Sequence, residues 1–175
     1  MILWITGISG TGKTTLGTFF LKNFKKKYNS TIHLDGDLIR NVYGNDVKYT
    51  LKARNTNAER LTKLVKHISS QKINIIVTAN LTSLKYRTWC KKNLRNYLEI
   101  YISAELKNLL KRDYKNLYKN ALNKKIKNVV GIDIPCKHPK KSDLYIANNS
   151  TKKNFLKNIK KINHLIKKKK ITIYK

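Results

Sequence analysis

The segment GISGTGKTT, which spans residues 7–15, constrains the fold of this chain more than any other feature. Gly7 and the triplet Gly12-Lys13-Thr14 within it match the pattern G-x-x-x-x-G-K-[ST]. An apolar run at residues 2–5 precedes the segment and predicts a buried strand, and apolar residues recur at helical spacing after it. A glycine-rich loop between a strand and a helix presents backbone N–H groups and the positive end of the helix dipole to an anion. The segment therefore predicts a phosphate-binding loop, here called the P-loop.

The same pattern assigns individual roles within the P-loop. Lys13 is expected to reach the β and γ phosphates of ATP, and Thr14 is expected to offer its hydroxyl to Mg²⁺. The residues expected to bind ATP are Gly7, Ser9, Gly10, Thr11, Gly12, Lys13, Thr14 and Thr15. ATP and Mg²⁺ are therefore the expected cofactors.

Beyond the P-loop, short β-rich segments alternate with amphipathic segments. Strands are predicted at 2–5, 31–34, 73–78, 97–102 and 143–147. Helices are predicted from the P-loop to the lysines at 25–27, at 57–69, at 85–95, as two short helices within 105–123, and over 155–166. This order predicts an α/β fold with three layers, in which helices cover both faces of a doubly wound, mainly parallel sheet of about five strands. Residues 1–175 are expected to form a single P-loop kinase domain.

The composition excludes some classes of protein. The longest apolar run is far too short to span a membrane, and no leader segment precedes the first strand, so a cytoplasmic protein is expected. Cys90 and Cys136 lie far apart and are expected to be free thiols. The formal net charge of +30 is typical of nucleic-acid binders, but lysines are spread over every predicted helix instead of forming a patch. The charge is therefore better explained as a compositional bias that attracts anionic substrates, and nucleic acid is not an expected partner.

Polar residues that suit phosphoryl transfer follow the second strand. Asp35 and Asp37 stand two apart at its end, which in a parallel sheet lies on the same edge as the P-loop. One carboxylate is expected to help organise Mg²⁺ and the other to accept the proton of the acceptor hydroxyl, and the spacing leaves both assignments open. The candidate catalytic residues are Asp35, Asp37 and Lys13, and the candidate Mg²⁺ ligands, direct or through water, are Thr14 and Asp37.

Arginines are rare in this lysine-rich chain, so their positions carry information. Arg40, Arg54 and Arg60 follow the acidic turn and suit the bidentate binding of phosphate or sulfate. For Arg60, a surface charge is an equally good interpretation.

Five ordered segments resemble the adenylylsulfate kinase family. They are WITGISGTGKTTLG, LDGDLIR, RNTNAERL, LKRDYKNLYKNALNKKIKNVVGIDIP and DLYIANN, and the resemblance extends in this order over nearly the whole chain. The resemblance implies ATP-dependent phosphorylation of the 3'-hydroxyl of adenosine 5'-phosphosulfate, a reaction of sulfate assimilation. It also implies a small-molecule nucleotide acceptor and leaves open a homodimer, since the family often forms dimers.

The resemblance further implies a set of acceptor-binding residues and a lid. Arg40, Arg54 and Asn57 match acceptor-binding residues of the family, and Tyr49 replaces a Phe that stacks on the acceptor base. The segment 112–131 matches a mobile lid, in which Lys115 and Lys119 could meet phosphates. The expected acceptor-binding residues are Arg40, Tyr49, Arg54, Asn57, Lys115 and Val129.

Several positions depart from the family pattern. Thr82 stands at a Ser that is described as phosphorylated in the family, so no covalent step is assigned to it or to Ser83. Tyr114 and Asn116 replace a Pro and a Gly of the lid, and Val129 replaces a second base-stacking aromatic. With these departures, the chain resembles the kinase that phosphorylates cytidine diphosphoramidate at its ribose 3'-hydroxyl in capsule modification. That activity is the alternative function. A non-catalytic nucleotide switch and a basic nucleic-acid-binding protein are more distant alternatives.

Overall fold

A computed structural model describes residues 1–44, 46, 48–81, 83–113, 115–136, 139 and 141–175 of the chain. The strands are β1 (Ile2–Thr6), β2 (Thr31–Asp35), β3 (Asn74–Thr78), β4 (Tyr97–Ser103) and β5 (Leu144–Ala147). The helices are α1 (Lys13–Phe24), α2 (Gly36–Val42), α3 (Leu51–Ser69), α4 (Leu84–Asn93), α5 (Leu106–Lys111), α6 (Leu117–Leu122), α7 (Lys152–Leu156) and α8 (Asn158–Lys168).

The five strands form one parallel sheet in the order β2-β3-β1-β4-β5. The predicted doubly wound sheet is confirmed. β1 lies at the centre, and all five of its residues are buried, as expected for a strand that is covered on both faces. The P-loop, the acidic turn after β2 and the loop after β3 consequently meet at the carboxyl edge of the sheet, where ligands bind in folds of this kind.

Two hydrophobic clusters cover the two faces of the sheet. One joins Leu3 and Ile5 of β1 to α1 and α8, and the other joins Ile2 and Trp4 to α3 and α4. The alternation of β1 side chains between the two clusters follows from the pleat of a strand. Of the helices in the described part of the chain, none has the length and apolar character that a membrane span requires.

The helix boundaries differ from the sequence prediction at three places. The short helix α2 was not predicted, and it begins where the Asp35 side chain accepts a hydrogen bond from the Asp37 N–H. α3 begins at Leu51 instead of residue 57, because Thr50 caps it by accepting from the Ala53 N–H, and its first turns carry few buried residues to reveal them. The predicted closing helix is divided into α7 and α8 around Lys157.

A buried ion pair links α4 to β4. The Arg87 guanidinium donates to both carboxylate oxygens of Glu99, and its Nε lies 3.2 Å from Glu99 Oε2. The Glu99 side chain is fully buried, and Arg87 is nearly so. Since a charge in such a site is tolerated only when it is paired, each residue depends on the other.

Removal of one partner should therefore destabilise the protein more than removal of both. We expect Arg87→Met to lower the free energy of unfolding by about 3–5 kcal/mol, because it leaves the Glu99 carboxylate buried without its cation. The double variant Arg87→Met/Glu99→Leu should recover most of that loss. Urea unfolding monitored by circular dichroism measures both, and a double variant less stable than Arg87→Met would contradict this account.

Candidate active site

The backbone of the P-loop requires glycine at three positions. Gly7, Gly10 and Gly12 have φ angles of +151°, +72° and +97°. A Cβ at Gly7 would lie 2.3 Å from the Ile102 carbonyl oxygen, so no side chain fits there. Gly12 precedes α1 without a side-chain cap, which leaves the first N–H groups of that helix available to an anion.

Two side chains from distant elements hold the P-loop in this shape. Asn148 donates from Nδ2 to the Thr11 carbonyl oxygen at 2.9 Å, and the Tyr118 hydroxyl donates to the Ser9 carbonyl oxygen at 2.7 Å. Both side chains are almost completely buried. Sequence reasoning did not single out either residue, although Asn148 belongs to the segment DLYIANN.

Lys13 lies half-buried at the centre of the site. Its Nζ donates to the Ile8 carbonyl oxygen at 2.8 Å. Burial lowers the pKa of this ammonium group from its ordinary value to about 8, although the charges of Asp37 and Asp35 oppose the shift. The site therefore holds a desolvated cation that an incoming polyphosphate would stabilise.

Asp35 accepts hydrogen bonds from several elements at once. Its Oδ2 accepts from the hydroxyls of Thr14 at 2.8 Å and Thr78 at 2.7 Å, and its Oδ1 accepts from the Asp37 N–H at 3.0 Å. Burial raises the pKa of this carboxyl group, but the hydrogen bonds from Thr78, Thr14 and the N–H groups of Asp37 and Leu38 outweigh it and hold the pKa below its ordinary value. Asp35 is therefore a stable carboxylate, whereas Asp37 is exposed at the cavity wall.

A cavity of about 930 Å³ joins the P-loop to the predicted acceptor-binding residues. On the acceptor side, the guanidinium groups of Arg40 and Arg54 lie 4.7 Å and 5.5 Å from the ring centroid of Tyr49. Arg54 also donates from Nε to the Tyr49 carbonyl oxygen at 2.8 Å and from Nη2 to the Asn128 carbonyl oxygen at 2.7 Å. Burial and the nearby Arg40 lower the pKa of Arg54 from its ordinary value. Two close cations beside an aromatic ring suit a nucleotide with an anionic group.

The lid supplies the opposite wall of the cavity. Val129 is buried and packs with Leu109 and Tyr118, and Lys115 also lines the cavity. Two polar atoms in the wall, Asn57 Oδ1 and Arg112 Nη1, are buried without a hydrogen-bond partner among the described residues. Buried polar atoms normally find a partner, so these two are candidates for contact with a bound ligand.

The structure brings most of the predicted site residues to this one cavity. Its wall includes Ser9, Gly10, Gly12, Lys13, Thr14, Thr15, Asp35, Asp37, Arg40, Tyr49, Arg54, Asn57, Lys115 and Val129. Gly7 and Thr11 do not line it and instead shape the loop from behind. Arg60 pairs with Asp46 at 2.7 Å and takes no part in the wall. Thr82 and Tyr114, which depart from the family pattern, lie outside the described residues.

Sequence reasoning missed other parts of the wall, because their role depends on tertiary contacts. They include Trp4, Thr78, Asn148 and Phe155. Asn80 and Leu81, in the loop after β3, and Arg112 and Lys127, in the predicted lid segment, also line the cavity.

The oxygen atoms near the P-loop suit Mg²⁺. Thr14 Oγ1 and the Asp35 carboxylate lie together at the entrance of α1, and Asp37 follows two residues later. The described residues contain no group of three or more His, Cys, Asp or Glu side chains that could hold a metal by themselves. Magnesium that is bound mainly by phosphates and water needs only one or two protein oxygens, so the residues present fit it.

A P-loop that faces an acidic turn and an arginine-lined pocket across one cavity defines a P-loop kinase. Structures of this class have the same fold: APS kinase CysC from Mycobacterium tuberculosis, solved with AMPPNP and APS, superposes with a TM-score of 0.83 at 23% identity over 95% of this chain and 96% of the other. Shikimate kinase from Aquifex aeolicus superposes with a TM-score of 0.60 at 13% identity, covering 97% of this chain and 98% of the other.

The chain belongs to the adenylylsulphate kinase family, whose model matches residues 1–147. It is 40% identical to cytidine diphosphoramidate kinase from Campylobacter jejuni over 87% of this chain and 88% of that protein. It is 33% identical to adenylyl-sulfate kinase from Buchnera aphidicola over 95% of this chain and 82% of that protein, and 32% identical to the enzyme from Clostridium acetobutylicum over 83% and 73%. The resemblance stated from the sequence is thus confirmed, and the protein is a phosphotransferase.

The pKa of Lys13 predicts how nucleotide binding depends on pH. Because the phosphates of ATP favour the charged ammonium group, binding takes up a proton once free Lys13 is neutral, so the affinity for ATP should fall as the pH rises above about 8. The fall should approach tenfold per pH unit. Titration calorimetry between pH 7.5 and 9.5 measures it. Lys13→Met should bind weakly with no such dependence, and an equal dependence in that variant would contradict the assignment to Lys13.

Proposed function

We propose that this protein transfers the γ-phosphoryl group of ATP to the ribose 3'-hydroxyl of a nucleotide with an anionic 5' group. The observation that carries the proposal is that the P-loop, the acidic turn and the Arg40–Tyr49–Arg54 group line one shared cavity. Membership of the adenylylsulphate kinase family supports the same reaction.

The residues around the P-loop would bind and orient the donor. The glycine-shaped backbone and the first turn of α1 would bind the phosphates of ATP, and Lys13 would exchange its bond to the Ile8 carbonyl oxygen for the β and γ phosphates. Thr14 and Asp35 would hold Mg²⁺ directly or through water, and the ion would neutralise charge on the transferred group. Val129 and the rest of the lid would exclude water, which otherwise competes with the acceptor hydroxyl.

We assign the role of general base to Asp37. Asp35 is already satisfied by hydroxyl and backbone donors, and its lowered pKa makes it a poor proton acceptor. Asp37 presents an exposed carboxylate to the same cavity. In the transfer, the 3'-oxygen bonds to the γ phosphorus, the bond to the bridging oxygen of ADP breaks, and the hydroxyl proton passes to Asp37. Asp35 instead fixes Thr14 and the metal.

For the acceptor, we favour cytidine diphosphoramidate over adenylylsulfate. The identity to the cytidine diphosphoramidate kinase is 40%, against 33% and 32% for two adenylyl-sulfate kinases. Tyr49 and Val129 both line the cavity, so a base held between them would stack on an aromatic side chain and face an aliphatic one, which suits a smaller pyrimidine ring. Arg40 and Arg54 would bind the anionic 5' group of either compound. Adenylylsulfate remains the second candidate, because the family model and most of the relatives carry that activity in their names.

A comparison of the two acceptors tests this proposal. ADP release should be measured with Mg·ATP and one acceptor at a time, with Lys13→Ala as the blank. We expect turnover with cytidine diphosphoramidate at a kcat/KM at least about tenfold above that for adenylylsulfate, which corresponds to about 1.4 kcal/mol of discrimination. A preference for adenylylsulfate would reverse the order of the two candidates, and turnover with neither would reject both acceptors.

The two aspartates should respond differently to removal of charge. Asp37→Asn should lower kcat by about 10²–10⁴-fold with little change in ATP affinity, because it removes the base alone. Asp35→Asn should instead raise the Mg²⁺ concentration needed for half-maximal rate, because it disturbs the contact with Thr14. Steady-state kinetics across a Mg²⁺ series separates the two effects. If Asp37→Asn kept its kcat, Asp37 would not be the base.

The assembly and location of the protein are further parts of the proposal. A homodimer, which the family resemblance leaves open, and a cytoplasmic location, which the sequence analysis expects, stay predictions. Nucleic acid has no part in the proposed reaction.

A further inference from the structure

His33 is a half-buried histidine that the proposed chemistry does not use. It lies on β2, two residues before Asp35, and its Nε2 is 2.8 Å from the hydroxyl oxygen of Thr78 on β3. Thr78 Oγ1 in turn lies 2.7 Å from Asp35 Oδ2, and the same Oδ2 lies 2.8 Å from Thr14 Oγ1. A continuous line of hydrogen bonds thus runs from His33 to the P-loop.

Donor counting fixes the direction of each bond. A carboxylate has no proton to give, so Asp35 accepts from both hydroxyls, and Thr78 thereby uses its only hydrogen. The Thr78 oxygen can then only accept, so the imidazole must donate from Nε2–H.

A glycine on the neighbouring helix leaves room for this imidazole. Gly17 lies on α1 one turn after Thr14, and a Cβ at that position would lie 2.4 Å from Thr78 Cγ2 and 3.3 Å from His33 Nε2. The register of β2 and β3 places Asp35 beside Thr78 and His33 beside Ile76. The hydroxyl of Thr78 therefore lies within reach of both β2 side chains that point to the same face.

We infer that His33 is a positioning residue that acts through Thr78. By donating to the Thr78 oxygen, it fixes the hydroxyl rotor in the orientation that donates to Asp35, and so keeps the Asp35 carboxylate directed at Thr14. Without that donor, Thr78 can rotate its hydrogen away, and Asp35 loses one of the bonds that hold its orientation. The role of Asp35 in phosphoryl transfer rests on the proposed function, whereas the hydrogen-bond line itself does not.

The tautomer of His33 tests the line independently of any activity. Long-range ¹H–¹⁵N spectra of the whole ¹⁵N-labelled protein at neutral pH report which imidazole nitrogen carries the proton, and the spectrum of His33→Gln identifies the His33 signals. We expect Nε2 to carry a proton. A ring protonated on Nδ1 would overturn the inference, because Nε2 could not then donate to Thr78.

A double-mutant cycle tests the functional consequence. His33→Leu should lower kcat by about tenfold and raise the Mg²⁺ concentration for half-maximal rate, with the acceptor KM within about twofold of the parent value. Thr78→Val should have a similar effect, and the double variant should be no worse than Thr78→Val, because the line is already broken. His33→Gln, which keeps an N–H donor, should restore most of the lost kcat. The control His67→Leu removes an exposed histidine of α3 and should behave as the parent.

Several results would count against the positioning role. Additive losses in the double variant would assign His33 a separate packing role, as would equal losses in His33→Leu and His33→Gln. An unchanged kcat in folded His33→Leu would also reject the role. If the parent turned over neither acceptor, the proposed function would fail alone, because the same cycle can be measured as the Mg²⁺-dependent affinity for ATP by calorimetry. If His33→Leu did not fold, two results would decide. One is the tautomer of His33, and the other is the kcat of Thr78→Ser, which keeps the hydroxyl group, compared with that of Thr78→Val, which removes it.

Discussion

The geometry of the site depends on the burial of one carboxylate. Asp35 is largely removed from water, and a buried charge is tolerated only if donors replace its hydration. Those donors come from the first turn of α1, the end of β3 and the start of α2. Satisfying a single charge therefore fixes the P-loop helix, the sheet edge and the acidic turn relative to each other. Asp37 then projects from a helix whose start is set by the same carboxylate.

Other acidic residues also hold parts of the structure in place by accepting defined hydrogen bonds. In a chain with 39 basic and 9 acidic residues, acidic side chains do little for solubility, and several occupy positions with defined bonds. Asp133 accepts from the N–H groups of Asn128 and Val129 in the lid, and Asp113 accepts from those of Leu117 and Lys119. Together with the paired Glu99, these carboxylates shape the site, the lid and the core. The cationic remainder of the surface attracts anionic substrates without selecting among them.

The sequence predicted the elements whose signal is local. The P-loop and the order of the strands were confirmed, because glycine spacing and apolar periodicity are read within a few residues. The start of α3 and the existence of α2 could not be predicted. Each helix begins at a capping side chain, Thr50 or Asp35, in a segment that has little apolar periodicity. The anchoring of the P-loop by Asn148 was equally hidden, because its partner Thr11 lies 137 positions away in the chain.

Arg54 connects the acceptor pocket to the lid. It donates to carbonyl oxygens on both sides of the cavity, at Tyr49 and at Asn128. Arg40 approaches the same tyrosine ring, and the repulsion between the two guanidinium groups contributes to the lowered pKa of Arg54. An anion bound between them would relieve that repulsion. Because Arg54 bonds to both Tyr49 and Asn128, an anionic acceptor bound at its guanidinium group would act on the pocket and on the lid segment at once.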